Sequence, residues 1–175
     1  MHNIAVIGPE STGKSTLCEQ LAKHYQCYWC TEYARNYLTT YGQQYNYDTL
    51  LHIAQAQQQQ IRALRQMANA ANHQHFFVDT EMLVMQVWCE YVFGNCHAYI
   101  IEQAQQQQFS MYLLCKPDIP WVQDGLREYP NELQRVELFH YYKSILEAQQ
   151  LPFVIIDGSY EQRLPKAIQA INTLT

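Results

Sequence analysis

Residues 8–16 read Gly8-Pro9-Glu10-Ser11-Thr12-Gly13-Lys14-Ser15-Thr16, which fits the pattern G-x-x-x-x-G-K-[ST] without a mismatch. An apolar, β-branched run that starts at Ile4 precedes this segment, and a helical pattern with Leu17, Leu21 and Ala22 on one face follows it. A strand, a glycine-containing turn and a helix in this order are the context that the pattern requires. The sequence therefore predicts a phosphate-binding loop.

The residue types of this loop have clear chemical reasons. Gly8 and Gly13 let the backbone turn tightly and bring its N–H groups close to phosphate oxygens. The N-terminus of the following helix carries a partial positive charge that attracts the same anion. We expect Lys14 to bind the β- and γ-phosphates and the Ser15 hydroxyl to bind Mg²⁺. The loop thus predicts a protein that binds a nucleoside triphosphate.

Short apolar runs and helical patterns alternate along the chain. Predicted strands cover 4–8, 27–30, 76–79, 111–115 and 153–157. Predicted helices follow the loop and cover 48–70, 82–93, 131–149 and 161–174. Such alternation is typical of a parallel sheet covered by helices on both faces. The predicted fold is α/β, a three-layer P-loop NTPase sandwich with about five parallel strands, formed by residues 1–175 as one domain.

The composition excludes several classes of protein. The 175 residues include 11 basic and 16 acidic side chains, a net charge of −5, so no basic surface for nucleic acid is expected. No run approaches 18 apolar residues, and the start lacks the basic segment of a signal peptide, so we expect neither a membrane span nor export. The expected location is the cytosol, where the six cysteines stay reduced.

Two carboxylates are candidates for the chemistry. Asp79 ends the apolar run Phe76 to Val78 and is predicted to lie beside the metal; the alternative is that it only caps the next helix. Glu32 follows the second predicted strand and could orient or deprotonate an acceptor hydroxyl. Its alternative is a surface acid paired with Arg35, and Asp79 is itself a second candidate for the base.

The predicted reaction class depends on the absence of certain motifs and on the long connection between the last two predicted strands. A guanine-reading N-K-x-D motif does not occur, and a motor or AAA-type ATPase is expected to need a longer chain, so a compact kinase fits better. Residues 117–135, between the last two predicted strands, are rich in Pro and Gly and predict a lid that excludes water. Arg127 and Arg135 lie in this interval and could meet the charge of the transferred group. The alternative is an ordinary exposed loop.

Several blocks beyond the loop carry a family resemblance. They occur in one order along nearly the whole chain: Gly8 to Thr16, Glu32-Tyr33-Ala34-Arg35, Asp79-Thr80, Trp88-Cys89-Glu90-Tyr91-Val92-Phe93-Gly94, residues 112–127 with Pro117-Asp118-Ile119-Pro120-Trp121-Val122 and Asp124-Gly125-Leu126-Arg127, and residues 158–163. This ordered set resembles the kinase domain of the NadR family, the nicotinamide riboside kinases of bacteria.

The resemblance implies ATP-dependent phosphorylation of the 5′-hydroxyl of nicotinamide riboside, a small-molecule substrate, to nicotinamide mononucleotide, with ATP and Mg²⁺ as cofactors. Catalysis is expected from Lys14, Glu32, Asp79 and Arg127, and metal binding from Ser15 and Asp79. The acceptor is expected to meet Glu32, Tyr33, Arg35, Asp79, Trp88 and Asp124. ATP is expected to meet Gly8, Pro9, Glu10, Ser11, Thr12, Gly13, Lys14, Ser15, Thr16 and Arg127, with Gly158, Ser159 and Arg163 near the adenine edge.

Two departures accompany the resemblance. The adenylyltransferase and helix-turn-helix domains that NadR proteins often carry do not fit in 175 residues, so a stand-alone kinase form is expected. The aromatic residues that enclose the nicotinamide ring in the family align with Thr31 and with a position in Gln57–Gln60, and Trp88 or Tyr91 could supply a ring instead. A nucleotide-sensing regulatory ATPase and a kinase of another nucleoside-like metabolite are therefore the alternatives. The sequence carries no signal for a particular oligomeric state.

Overall fold

A central sheet of five parallel strands forms the middle layer of the computed structural model, which describes residues 1–174. The strands among these residues are β1 (His2–Ile7), β2 (Trp29–Cys30), β3 (His75–Asp79), β4 (Met111–Cys115) and β5 (Phe153–Ile156). Their order in the sheet is β2-β3-β1-β4-β5, and every neighbouring pair is parallel. The helices are α1 (Lys14–Tyr25), α2 (Tyr33–Tyr41), α3 (Tyr47–Ala70), α4 (Met82–Phe93), α5 (Ala98–Gln106), α6 (Glu132–Ala148) and α7 (Tyr160–Ile171).

Each face of the sheet is buried under its own set of helices. On one face α3, α4 and α6 pack against strand residues such as Ile7 and Val78. On the other face α1 and α7 pack against Ile4, Val6 and Phe77. Because neighbouring residues of a strand point to opposite faces, strands buried on both sides read as continuous apolar runs. The predicted three-layer α/β sandwich with five parallel strands is confirmed.

Two helices were not predicted. Helix α2 has only nine residues and buries just Ala34 and Leu38, and α5 buries just Ile100 and Ala104. Two buried positions make too short an apolar stripe to stand out from a Gln- and Tyr-rich sequence. Both helices pack with α3 and α4 in a separate cluster at one side of the molecule. Ala34 and Trp88, which belong to or pack against this cluster, also line the cavity described below.

The strand order brings the phosphate loop and Asp79 together. Strand β1 lies between β3 and β4, with Val6 in register with Asp79. The loop that follows β1 crosses the end of β4 so closely that a Cβ atom on Gly8, whose φ is 134°, would lie 2.6 Å from the Cys115 carbonyl oxygen. Only glycine fits this approach. Ligand sites of open α/β sheets lie at such carboxyl ends of neighbouring strands.

None of the helices among residues 1–174 is both long enough and apolar enough to span a membrane.

Candidate active site

A cavity of about 200 Å³ opens at the carboxyl edge of the sheet, above β1 and β3. The phosphate loop forms one end, and the start of α2, the inner face of α4, the segment after β4 and α6 form the rest. Its lining residues are Gly8 to Thr16, Glu32, Ala34, Arg35, Leu38, Thr80, Val84, Val87, Trp88, Tyr91, Leu126, Arg127, Glu128, Tyr129, Leu138 and Tyr142. The cavity therefore joins a polar, phosphate-loop end to an end rich in aromatic and aliphatic side chains.

The phosphate loop has the geometry of an anion site. Gly13, with φ of 75°, is the residue before α1, and no side chain caps the first N–H groups of this helix. The Lys14 ammonium lies across the loop and donates to the Pro9 carbonyl oxygen at 2.8 Å. The Thr12 hydroxyl donates to the same oxygen at 2.8 Å. Uncapped amides at a helix N-terminus, together with a lysine that reaches back over them, suit a phosphate chain.

Asp79 lies beside Ser15, where a metal ligand is expected. The Ser15 hydroxyl donates to Asp79 Oδ2 at 2.5 Å, and only 1% of Asp79 is exposed. The helix cap is a different residue, because the Glu81 carboxylate accepts the Leu83 N–H at the start of α4. The interpretation of Asp79 as a simple cap is therefore wrong. A hydroxyl and a carboxylate at the mouth of the loop are hard oxygen donors, the set that fits Mg²⁺ alongside phosphate oxygens.

Glu32 and Asp79 are two acidic residues whose pKa values are both raised. Burial raises the pKa of Glu32, and the charge of Asp79 raises it further. Burial also raises the pKa of Asp79, against the opposing effect of Lys14. Two carboxylates that are removed from water and lie near each other disfavour their joint ionisation. Such a pair readily takes up a proton or a cation.

Arg35 has a different partner from the one considered in the sequence. Its guanidinium pairs with the Asp124 carboxylate at 2.9 Å, while Glu32 is half-buried and lines the cavity. The interpretation of Glu32 as a surface acid paired with Arg35 is therefore wrong. The Arg35–Asp124 pair instead connects α2 with the segment after β4.

That segment, residues 117–131, has no helix or strand and is called the lid segment here. It lies against the phosphate loop: Arg127 Nη1 donates to Ser11 Oγ at 3.2 Å, and the Val122 N–H donates to the same oxygen at 3.0 Å. The prediction extended this segment to residue 135, but α6 begins at Glu132. Arg135 is buried in α6 and is not among the residues that line the cavity, so its predicted place over the phosphates is wrong.

The residues predicted to lie near the adenine edge form hydrogen bonds within the protein. Arg163 is only 2% exposed and donates to three carbonyl oxygens, those of Gly158 at 3.0 Å, Thr12 at 3.1 Å and Lys116 at 3.0 Å. It also pairs with the Asp118 carboxylate. Its donors are thus directed at the protein rather than at the cavity.

Gly158 and Ser159 belong to the start of α7, where Ser159 and Gln162 form a capping box. Neither residue is among those that line the cavity. Tyr160, a residue of the same block for which no role was predicted, also approaches the loop: its ring lies 3.4 Å from the place of a Cβ atom on Gly13. Tyr160 is 46% exposed.

Of the acceptor residues, the structure brings Glu32, Arg35, Asp79, Trp88 and Asp124 to the cavity or to its rim. Tyr33 is placed elsewhere. Its ring packs in the cluster of α2, α3, α4 and α5, because its backbone N–H is held by Gln57 Oε1 at 2.7 Å. The prediction that Tyr33 lines the acceptor side is not supported by this placement.

The two positions aligned with ring-enclosing aromatics lie outside the cavity. Thr31 is exposed, and Gln60 Nε2 donates to its hydroxyl at 3.1 Å. Gln57 is buried and bonds the backbone on both sides of Glu32. Trp88 and Tyr91 line the cavity and are the rings that the sequence offered as substitutes.

Several lining residues were missed because they resemble core residues. Val84, Val87, Leu138 and Tyr142 all belong to the main core cluster and continue the apolar stripes of α4 and α6. Glu128 was missed too, and it holds Trp88 indirectly. The Trp88 indole donates to the Tyr45 hydroxyl at 3.0 Å, and this hydroxyl donates to Glu128 Oε2 at 2.8 Å.

The fold and the cavity together define a P-loop protein with a phosphate site that faces a second, partly aromatic pocket. Comparison with known families agrees with this class, since residues 3–163 match the AAA domain family. The chain belongs to the AAA domain family. The expectation that an AAA-type protein needs a longer chain is therefore wrong.

The chain is also similar to individual proteins. It is 27% identical to the trifunctional NAD biosynthesis/regulator protein NadR of Escherichia coli K12, over 99% of this chain and 43% of that protein. The chain therefore spans less than half the length of this curated relative. A crystal structure of NadR protein in complex with NR matches 99% of this chain and 51% of that one, with a TM-score of 0.83 and 24% identity. A second, of NadR protein with NAD and AMP-PNP, matches with a TM-score of 0.73 and 23% identity, over 98% and 49% of the two chains.

Proposed function

We propose that the chain is an ATP-dependent kinase that phosphorylates the 5′-hydroxyl of nicotinamide riboside and forms nicotinamide mononucleotide. One observation carries the proposal: a single cavity joins the phosphate loop, with Lys14 and Ser15, to an aromatic pocket, Glu32 lines this cavity, and Asp79 lies beside Ser15. A phosphoryl donor bound at one end and a nucleoside at the other would meet at these carboxyl groups. This is the arrangement that in-line transfer requires.

The residues at the phosphate end would bind the donor. The loop amides and the Lys14 ammonium would hold the β- and γ-phosphates. Ser15 and Asp79 would hold Mg²⁺, which when bound neutralises charge on the phosphate oxygens. Arg127 lines the cavity beside Ser11, where its guanidinium would meet negative charge on the transferred group. Charge stabilisation and alignment supply most of the rate enhancement in phosphoryl transfer.

Glu32 would act on the acceptor. It lines the cavity beside Asp79, and its raised pKa means that it holds a proton more readily than an ordinary glutamate. In its ionised form, the Glu32 carboxylate would accept the proton of the 5′-hydroxyl. The lid segment would keep water away from the transferring phosphoryl group.

The relatives support this assignment of substrates. One similar structure shows NadR protein with the riboside NR. Another shows NadR protein with NAD and the ATP analogue AMP-PNP. The similarity to NadR of Escherichia coli covers nearly the whole of this chain, including the phosphate loop, Glu32 and Asp79. We accordingly propose ATP as the donor, a small molecule as the acceptor and the cytosol as the location.

A second candidate is a kinase of another nucleoside. The observation in its favour is that Thr31, Gln57 and Gln60 are polar and hydrogen-bond to one another. The resemblance implies aromatic rings around nicotinamide at these positions. A base without the charge of the nicotinamide ring could then rest on Trp88 and Tyr91 instead. A regulatory ATPase that binds nucleotide without an acceptor would differ from both in failing to transfer phosphate.

The test is an ADP-release assay with Mg-ATP across pyridine, purine and pyrimidine ribosides, with mass detection of the phosphorylated product. We expect turnover to be highest with nicotinamide riboside. Turnover with a different riboside would favour the second candidate. Protein that binds ATP but transfers phosphate to no riboside would contradict both kinase assignments.

A binding experiment complements the assay. Thermal unfolding is measured with a non-hydrolysable ATP analogue and each riboside in turn. A riboside present at 100 times its Kd should stabilise the protein by about 2.7 kcal/mol. Lys14→Ala serves as the control, because it should remove the effect of the nucleotide and leave the unliganded protein folded.

A further inference from the structure

Glu10, in the middle of the phosphate loop, binds the lid segment rather than its own loop. Its Oε1 accepts the Trp121 indole N–H at 3.1 Å and the Tyr129 backbone N–H at 2.6 Å. Its Oε2 accepts the Glu128 backbone N–H at 2.9 Å. One carboxylate thus holds three donors from two places in the lid segment, near its start and near its end.

The charge of Glu10 explains why these donors matter. An acidic side chain beside bound phosphates would repel them, since like charges at short range disfavour each other. Three N–H groups directed at the carboxylate make charge-assisted hydrogen bonds, which are stronger than bonds between neutral groups. They hold the charge of Glu10 on the lid side of the loop. The Glu10 carboxylate is therefore suited to binding the lid segment and not to binding nucleotide or metal.

The hydrogen bonds to Glu10 hold the backbone next to Arg127. Glu128 and Tyr129, whose N–H groups donate to Glu10, directly follow Arg127 in the chain. The neighbouring loop residue, Ser11, accepts a hydrogen bond from Arg127 itself at 3.2 Å. Within the lid segment, Arg127 also pairs with the Asp124 carboxylate at 3.2 Å. The Arg127 guanidinium, which lines the cavity, is thus held by Asp124 and Ser11, while Glu10 binds the backbone that follows it.

The geometry points to Glu10 as a positioning residue: we propose that its carboxylate anchors the lid segment to the phosphate loop, which places Arg127 and excludes water from the cavity. The anchor is a property of the protein without ligands. Its effect on phosphoryl transfer rests on the proposed kinase function.

The anchor is tested first without any substrate. Trypsin cleaves after Arg127 only when the lid segment opens, and the cleavage rate follows the population of the open form when closing is fast. Because Glu10→Ala removes three hydrogen bonds, we expect cleavage at Arg127 to be about tenfold faster, as read by intact mass. Glu10→Gln keeps one carbonyl acceptor, so its cleavage rate should lie between those of the wild type and Glu10→Ala. The matched control is Glu19→Ala, an exposed acid on α1, which should cleave at the wild-type rate.

Trp121→Phe removes one donor from the opposite side of the same contact. It should also speed cleavage, by a smaller factor, and it keeps the test decisive if Glu10→Ala does not fold. Equal cleavage rates for the wild type, Glu10→Gln and Trp121→Phe would overturn the anchor.

Kinetics then test the consequence for transfer. In Glu10→Ala we expect kcat for phosphoryl transfer to fall about tenfold, with less than a twofold change in KM for ATP. The ratio of acceptor-independent ATP hydrolysis to transfer should rise because water reaches the cavity. Fast cleavage with unchanged kinetics would overturn the positioning role. Fast cleavage in a protein that phosphorylates no riboside would refute the proposed function and leave the anchor standing.

Discussion

The two ends of the cavity are built in different ways. The phosphate end comes from nine consecutive residues, 8–16, and uses backbone amides whose positions follow from one strand, one turn and one helix. The acceptor end is assembled from α2, α4, α6 and the lid segment, which meet only in the folded chain. The phosphate end is therefore local and rigid, while the acceptor end depends on packing between distant elements. Mutations should affect the two ends differently.

The largest expected effect lies at the phosphate end. Lys14→Ala should lower kcat/KM by about 10³-fold, since it removes a charge aimed at the β- and γ-phosphates. Its side chain bonds only to Pro9 in the free protein, so the unfolding temperature should stay close to that of the wild type. ADP release and thermal unfolding measure the two quantities. Activity within tenfold of wild type would mean that the loop does not hold the donor.

Asp79→Asn should separate activity from stability. Turnover should fall by about 10²-fold because a metal ligand is lost. The pKa of Asp79 is raised in the folded protein, so its ionisation costs stability: the wild type should lose stability as the pH rises from the ordinary carboxyl pKa through the raised one. The neutral Asn does not ionise, so the variant should have a larger free energy of unfolding than the wild type at pH 8.

Urea unfolding at pH 5 and pH 8, without metal or nucleotide, provides the measurement for Asp79→Asn. The difference in the free energy of unfolding should be larger at pH 8. A variant that is less stable than the wild type at pH 8 would show that the Asp79 carboxylate stabilises the free protein.

Glu32→Gln tests the boundary between the two ends. We expect kcat to fall by about 10²-fold because the acceptor hydroxyl loses its base. The Kd for ATP should not change, since we propose that Glu32 acts on the acceptor and does not hold the phosphates. Single-turnover kinetics and nucleotide titration measure these values. A kcat near that of the wild type would assign the base to another group, with Asp79 as the next candidate.

The smallest effect is expected at the acceptor end. Trp88→Leu keeps an apolar side chain but removes the ring, and should raise KM for the riboside about tenfold with KM for ATP unchanged. Tyr25→Leu, an aromatic substitution far from the cavity on α1, is the matched control for loss of a ring. An unchanged riboside KM would mean that the base rests on other residues.

The same difference explains what could be predicted from the sequence. The phosphate loop and the five strands follow from local patterns, and the structure has a strand in each predicted segment. The order of the strands within the sheet was not predicted, and this order brings Asp79 beside Ser15. Helix α2 and helix α5 were missed because each buries only two residues. Leu138 and Tyr142 were missed as lining residues because a side chain in an apolar stripe looks the same in sequence whether it faces the core or a cavity.

Arg163 shows a further limit of local reading. Its place after the last strand suggested contact with ligand, but its guanidinium is directed at Thr12, Lys116, Gly158 and Asp118. Three of these four partners, Thr12, Lys116 and Asp118, lie at least 45 residues from Arg163 in the sequence. Such contacts depend on which loops the strand order brings together at the edge of the sheet. Local sequence patterns do not specify that order.

The same arginine has a mechanical consequence. Arg163 joins the phosphate loop at Thr12 to Lys116, which precedes the lid segment, and to Asp118 at its beginning. The rest of the segment is held by exposed contacts, among them those of Glu128 with Glu10 and Tyr45 and that of Asp124 with Arg35 on α2. Opening of the cavity would therefore break these exposed contacts while the end of the segment beside β4 stays in place. A molecule that enters or leaves the cavity would then pass between the lid segment and α2.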